Sequence, residues 1–373
     1  MTTPVAPELL PLIIVCDWIP PEFGAVGQYQ LAEAQRAAAA GRKVTLIGLG
    51  RASERSFENC GEGELTVVRI ARATPNKKNL LERAFWALSA NFALIAAMGK
   101  ATRGKGACEI KVTGSPPFLS YLVLLRAMFI RSHRITYRIT DFYPETAIAS
   151  GKAHWLKPLA RVFHALRRRA DRIEALSDCQ KVRLVESGVD LSRVAIVRDG
   201  SPVTFSSRTI PAERPFEAKD IVLLYSGNLG VAHDWRTFAE AYRLHVHTGS
   251  NRVRLWLNAT GTGVAPLKAF CDAHKLPVHH TQPAPVEALA GVLLAADAHL
   301  ILLGDSFWGY VIPSKIYGCV ASGRPCLYVG PEESDLHVLV SVDGRHHSIR
   351  SNDVSGVERV LASLEQSRAI TVS

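Results

Sequence analysis

Short apolar runs alternate with longer amphipathic stretches along almost the whole chain. Residues 12–16 and 43–49 read as strands of a parallel sheet buried on both faces, because such strands are nearly continuous in Val, Ile and Leu. Between them Pro20, Pro21, Gly24 and Gly27 predict a loop, and the Ala-rich stretch 29–40 predicts a helix stopped by Gly41. The alternation continues with a strand at 135–139, a helix near 156–170 and a strand at 173–176. Pro, Ser, Thr and charged residues then fill 201–219, which reads as a linker. Beyond it the pattern restarts. Strands are expected at 221–225, 253–257, 298–303 and 326–329, and helices at 265–274, 286–295 and 315–322. Trp235, Phe238, Ala239 and Tyr242 share one helical face, and Gly323 suits a left-handed C-cap. The expectation is a doubly wound α/β chain of two Rossmann-like domains, 1–205 and 206–373, facing a central cleft. The last helix is allowed to cross back to the first domain. Ligands of such folds bind beyond the carboxyl ends of the strands.

Two stretches stand out from the alternation. Residues 84–99 carry no charge and lie between Lys77, Lys78 and Arg83 on one side and Lys100, Arg103 and Lys105 on the other. Residues 117–130, interrupted by Arg126 and followed by Arg131 and Arg134, repeat the arrangement. Either stretch suits a buried core helix with solvated ends or a helix lying in a membrane interface; neither reaches the roughly 18–20 apolar residues of a membrane span. Charge favours a surface role for this half. Residues 1–205 hold 29 Lys and Arg against 18 Asp and Glu, while 206–373 hold 15 against 16. An anionic partner on the N-terminal domain is expected. Hydrophobic residues at 47% and charged ones at 21% exclude a disordered or fibrous chain. Seven Cys without a CxxC pair point to reduced thiols, and residues 1–8 lack the pattern of a secretory signal, so a cytoplasmic protein is expected.

Candidate chemistry follows the strand ends. The turn from Tyr225 through Gly227, Asn228, Leu229 and Gly230 follows a strand and precedes a helix, where backbone amides can meet a phosphate. Gly24 and Gly27 offer a parallel loop in the first half. Simple turn chemistry explains either loop alone; a pair, one per half, favours a ligand. Ser314 is a natural N-cap after Pro313, placing Lys315 at a helix start. A lysine there opposes the helix dipole, which argues for a bound anion rather than for stability. Asp141 follows the strand at 135–139 and is either a catalytic carboxylate or the cap of a helix near Pro144. Asp17 and Glu145 rank behind it. Arg167, Arg168 and Arg169 are either a patch for anionic lipid or acceptor, or a solvated helix face. Gly48 and Gly50 lack the third glycine of a dinucleotide site, and the His279–His280 and His346–His347 pairs lack further ligands at zinc spacing.

Taken in order, these segments resemble the GT-B glycosyltransferases, in particular the family 4-like enzymes of bacterial exopolysaccharide and O-antigen assembly of the colanic-acid type. The residues carrying the resemblance are Trp18-Ile19-Pro20-Pro21-Glu22-Phe23-Gly24, Arg138-Ile139-Thr140-Asp141-Phe142-Tyr143-Pro144-Glu145, Leu176-Ser177 with Gly188-Val189, Gly227-Asn228-Leu229-Gly230, and Pro313-Ser314-Lys315. The chain departs from the family at Tyr310 and Gly318, which stand where many members carry a Glu-x7-Glu pair. The resemblance implies a nucleotide-sugar donor on the C-terminal domain, held by Gly227, Asn228, Leu229, Tyr310, Ser314 and Lys315, with the nucleobase near His280 to Pro283. It places the acceptor, expected to be lipid-linked, on the N-terminal domain beside Asp141. No Asp-x-Asp motif occurs, so neither a metal nor a cofactor is expected. The expected activity is sugar transfer at the cytoplasmic face of the inner membrane in surface polysaccharide or glycolipid synthesis. A nucleotide-sugar epimerase and a non-catalytic basic module binding membrane or polyanion are the alternatives. Nucleic acid is disfavoured, because the basic stretches lack interleaved aromatics.

Overall fold

The computed structural model describes residues 9–22, 24–73, 80–249, 251–341 and 343–371. Residues 1–8, Phe23, Lys77 and Lys78 lie outside the described residues, as does the side chain of Arg83. The chain divides into two compact units, Met1–Ile148 with Ala153–Arg198, and Ala149–Lys152 with Asp199–Ser373.

The first unit runs β1 (Leu12–Trp18), α1 (Ala25–Ala39), β2 (Lys43–Gly50), β3 (Glu54–Cys60), β4 (Gly63–Ala71), α2 (Leu80–Thr102), β5 (Glu109–Thr113), α3 (Leu119–Ala127), β6 (Arg134–Arg138), α4 (Glu145–Ala149), α5 (Ala160–Arg167), β7 (Arg172–Ala175), α6 (Asp178–Glu186) and β8 (Val194–Ile196). Its sheet has the order β3-β4-β2-β1-β5-β6-β7-β8, parallel except for the β3–β4 hairpin. The order reverses at β1, whose Ile13, Ile14 and Val15 are fully buried between β2 and β5. α1 begins four residues earlier than its alanines suggest, so Gly27 is helical rather than part of a loop. The helix expected near 156–170 is two pieces, a 3-10 helix His154–Leu159 containing Pro158, and α5.

The second unit runs β9 (Ile221–Asn228), α7 (Arg236–Thr248), β10 (Val253–Thr260), α8 (Val264–Ala273), β11 (Val278–Thr281), α9 (Val286–Ala295), β12 (Ala298–Leu302), α10 (Lys315–Ala321), β13 (Cys326–Val329), α11 (Asp335–Ser341), β14 (His347–Ile349) and α12 (Val354–Thr371). All six strands are parallel in the order β11-β10-β9-β12-β13-β14, with the reversal at β9. Gly323, at φ +71°, ends α10 as expected. The core joins β9, β10 and β12 to Phe238 and Tyr242 of α7 and to Val357 and Leu361 of α12. α12 therefore packs within this unit, where Glu365 also pairs with the buried His245 at 3.0 Å. Both sheets are doubly wound Rossmann-like layers.

Candidate functional site

In the second unit the strand order reverses at β9, the place where doubly wound sheets bind their ligands. Gly227 stands there at φ +112°, a conformation that strains any residue with a Cβ. Lys315, the first residue of α10, reaches back to it: its Cε would lie 3.9 Å from a Cβ on Gly227. The Lys315 ammonium sits 3.4 Å from the centre of the Tyr225 ring. Nζ is shut off from solvent and has no hydrogen-bond partner among the described residues. Burial pulls its pKa down to about 7, with the Cys319 thiol one turn along acting in the opposite direction. An amine so placed can pair with an anion.

The rest of the loop is more committed than its sequence suggests. The Leu229 N–H donates to the Thr260 carbonyl at 2.7 Å and its side chain lies in the core, so Leu229 has no amide to offer a phosphate. The Gly230 N–H donates to His233 Nδ1 at 3.1 Å. Burial, with the Lys315 charge adding to it, pushes His233 down to about 3 and keeps it neutral as that acceptor. Gly227 and Asn228 end β9 in register with Ala259 and Thr260 of β10, and the Tyr225 hydroxyl donates to the Asn228 carbonyl at 2.9 Å. Ser314 does stand at the cap position of α10, yet its side chain accepts no capping bond. Its backbone is already helical at φ −60° and ψ −18°, which turns Oγ away from the helix amides. Tyr310 is half-buried in the turn before Pro313, its N–H donating to Phe307 O at 2.9 Å. Asn258, which the sequence did not single out, fastens the loop after β11: it accepts from Ser226 Oγ at 3.1 Å and donates to Thr281 Oγ1 and Gln282 O at 2.8 and 2.6 Å.

In the first unit three consecutive strand ends bring Asp17, Ser115 and Asp141 together. Ser115 Oγ donates to Asp17 Oδ2 at 2.7 Å, across the reversal between β1 and β5. Asp141 follows β6, and its carboxylate caps no helix, since α4 starts at Glu145 behind Pro144. Burial, then the charge of Asp17, raises Asp141 to about 6. Burial likewise raises Asp17 to about 6, against the Ser115 bond that lowers it. The Gln180 amide, at the start of α6, donates to the Thr140 carbonyl at 3.3 Å and holds the segment in place. Two carboxyl groups of raised proton affinity beside a hydroxyl can bind a sugar hydroxyl and take its proton.

Other expected residues have structural work. A Cβ on Gly27 would stand 1.8 Å from the Trp18 carbonyl oxygen, and one on Gly24 3.1 Å from it, so both glycines let α1 press onto the end of β1. Arg167 is fully buried: it donates to Tyr121 Oη at 2.6 Å, lies 2.9 Å from Glu145 Oε1, and its guanidinium covers the Phe142 ring at 4.8 Å. It cannot touch a membrane, whereas Arg168 and Arg169 are exposed. Glu145 is consumed by Arg167 and by His164, 3.1 Å away. Among the described residues no three His, Cys, Asp or Glu side chains gather as a metal site.

No family model matches the chain, and no curated protein does. Solved structures match it along nearly its whole length. The fold is GT-B. The chain is similar to WaaG, a glycosyltransferase involved in lipopolysaccharide biosynthesis, at 14% identity and a TM-score of 0.63, over 95% of this chain and 90% of that one. It is similar to the sucrose-phosphate synthase of Thermosynechococcus elongatus at 13% identity and a TM-score of 0.66, over 95% and 90%. A UDP-forming trehalose-phosphate synthase from Burkholderia vietnamiensis matches at 10% identity and a TM-score of 0.64, over 96% and 94%. At such identities the shared property is the architecture.

Proposed function

We propose that the chain transfers a sugar from a nucleoside-diphosphate sugar to an acceptor hydroxyl. One observation carries this reading: the Lys315 amine beside Gly227, shut off from solvent and with no hydrogen-bond partner among the described residues, at the strand-order reversal of the second sheet. Its position suits the diphosphate of the donor. A protonated Lys315 offsets the negative charge that builds up on the diphosphate as the bond to the anomeric carbon breaks. Gly227, having no side chain, leaves room for a ligand at the same strand end, and the loop held by Asn258 suits the nucleobase. In the first unit Asp141 serves the acceptor. In an inverting transfer it takes the hydroxyl proton as the new bond to the anomeric carbon forms; in a retaining one it orients the hydroxyl. Neither step asks for a divalent ion. The acceptor in this reading is lipid-linked, at the cytoplasmic membrane face, in surface polysaccharide or glycolipid synthesis; one similar structure, WaaG, is of a glycosyltransferase involved in lipopolysaccharide biosynthesis. No described helix is long and apolar enough to cross a membrane.

A panel of nucleotide sugars incubated with EDTA, with and without lipid-linked acceptors, tests the reading. Release of nucleoside diphosphate is expected for one donor and is expected to fall at least about a hundredfold in Lys315→Met and in Asp141→Asn. Full activity in both variants contradicts the site. Conversion of the donor with no acceptor and no diphosphate release identifies an epimerase instead.

A further inference from the structure

The first sheet ends on a strand that is long and open along one side. Of the four sheet edges among the described residues, β8 and β14 are three residues long and β11 is four, whereas β3 has seven. Natural sheets blunt a long edge with proline, a bulge or a row of lysines. β3 has none of these. It pairs with β4 in unbroken register from Glu54 opposite Arg69 to Cys60 opposite Gly63, and its charges are of both signs. The two-residue turn at Gly61 and Glu62 makes Cys60 and Gly63 a hydrogen-bonded pair, and such pairs alternate along the ladder. Arg55, Phe57 and Asn59 therefore turn their N–H and C=O to the open side. Cys60 packs on the α1 side of the sheet, which sets Arg55, Phe57 and Asn59 on the other face. There Phe57 is 70% exposed, with the Arg55 guanidinium 4.9 Å from its ring centre.

We propose that two copies of the chain join β3 to β3 as neighbouring antiparallel strands, so that their first sheets run into one another. A two-fold axis through the sheet keeps each face on its own side, so one residue must stand at the centre of the pairing. The charges choose which. Centred on Ser56, the pairing sets Glu54 against the partner's Glu58 twice; centred on Glu58, it sets that carboxylate against its own copy. Centred on Phe57, no like charges face each other. The two Phe57 side chains then lie side by side. Arg55 stands opposite the partner's Asn59 and diagonal to the partner's Phe57, whose ring its guanidinium can cover, and the Ser56 hydroxyl can donate to the partner's Glu58. In this register the outward backbone groups are also matched: Phe57 exchanges two bonds with its copy, and Arg55 two with the partner's Asn59 on either side of it. That self-complementarity favours a second copy over a strand of another protein. Nothing in this contact depends on the sugar-transfer reading.

Sedimentation velocity of the full chain over a concentration series is the test, and a monomer–dimer equilibrium is expected. Phe57→Lys sets two ammonium groups opposite each other, and Asn59→Pro removes an N–H that β4 does not use; each is expected to weaken dimerisation at least about tenfold. Circular dichroism of the variants as dilute monomers shows that they fold; should Asn59→Pro fail to, Phe57→Lys on its exposed site decides alone. Cross-linking reads the register. The other six Cys are buried, so a Cys60→Ser background removes the most accessible thiol. In it Phe57→Cys is expected to form an intermolecular disulfide on mild oxidation, whereas Arg55→Cys, roughly 13 Å along the strand from its own copy, is expected not to. A protein that stays monomeric up to millimolar concentration overturns the proposal, as does a dimer equally tight in Phe57→Lys and Asn59→Pro, which uses another face. Cross-linking of Arg55→Cys in preference to Phe57→Cys contradicts the register and overturns the pairing as proposed.

Discussion

Lys315 shows how far one residue's surroundings set its chemistry. Its pKa falls from 10.5 to about 7, so between those values the folded chain holds fewer protons than the unfolded one. The stability of the ligand-free protein is therefore expected to rise with pH across that window, and Lys315→Met should flatten the rise. Diphosphate binding has the opposite sign. It needs the ammonium form, so affinity for UDP or GDP should weaken above pH 7, approaching about tenfold per unit, with uptake of a proton measurable by calorimetry in buffers of different ionisation enthalpy. A slope-free affinity, or one unchanged in Lys315→Met, contradicts the role. Arg167 makes the complementary point. Truncating it to Ala leaves Glu145 buried beside an empty space and is expected to cost about 3–5 kcal/mol in chemical unfolding, whereas Arg168→Ala and Arg169→Ala should each stay within about 0.5 kcal/mol. Lys315 was legible in the sequence because a lysine at a helix start opposes the dipole. Arg167 was not, because three consecutive residues on a helix point to different sides and a run of like letters hides which one faces inward.

At the scale of elements, close approach explains what loop chemistry alone did not. Gly27 sits in the first turn of α1 against the Trp18 carbonyl, and Gly27→Ala is expected to destabilise the protein by about 1–3 kcal/mol or more, read from thermal or urea unfolding. A purely ligand-binding glycine would leave the unfolding midpoint in place. Strands buried on both faces were readable, and β13 and α9 match residue for residue. β5 was missed because Lys111 breaks its apolar pattern; in the fold that ammonium is neutralised by Glu33 and by Glu174, 2.9 Å away. The edge hairpin was missed for another reason. β3 carries mostly exposed polar residues, and its place is set by pairing with β4 rather than by burial. Asp141 was found from the rule that ligands gather at carboxyl ends, whereas Asp17 ranked behind it, since only the strand order sets β1 one strand away from β6 with Ser115 between.

The whole molecule repeats one device. In each sheet polar groups gather where the strand order reverses: Asp17 and Ser115 in the first unit, with Asp141 at the end of the next strand, and Lys315 beside Gly227 in the second. The two-fold repetition of strands and helices was visible in the sequence; which loop amides were already spent on Thr260 and His233 was not, because those partners lie far along the chain or depend on a buried imidazole. If Asp141 works as a base, kcat/KM should rise with pH through about 6 as the carboxyl ionises, and Asp141→Asn should abolish that limb. The central claim is that the second unit grips a nucleoside diphosphate through Lys315 and the end of β9. Isothermal titration of UDP and GDP into the protein with EDTA tests it most directly: saturable binding of one of them that Lys315→Met weakens at least about tenfold is the predicted result. No binding of either at millimolar concentration, or equal binding by the variant, would contradict it.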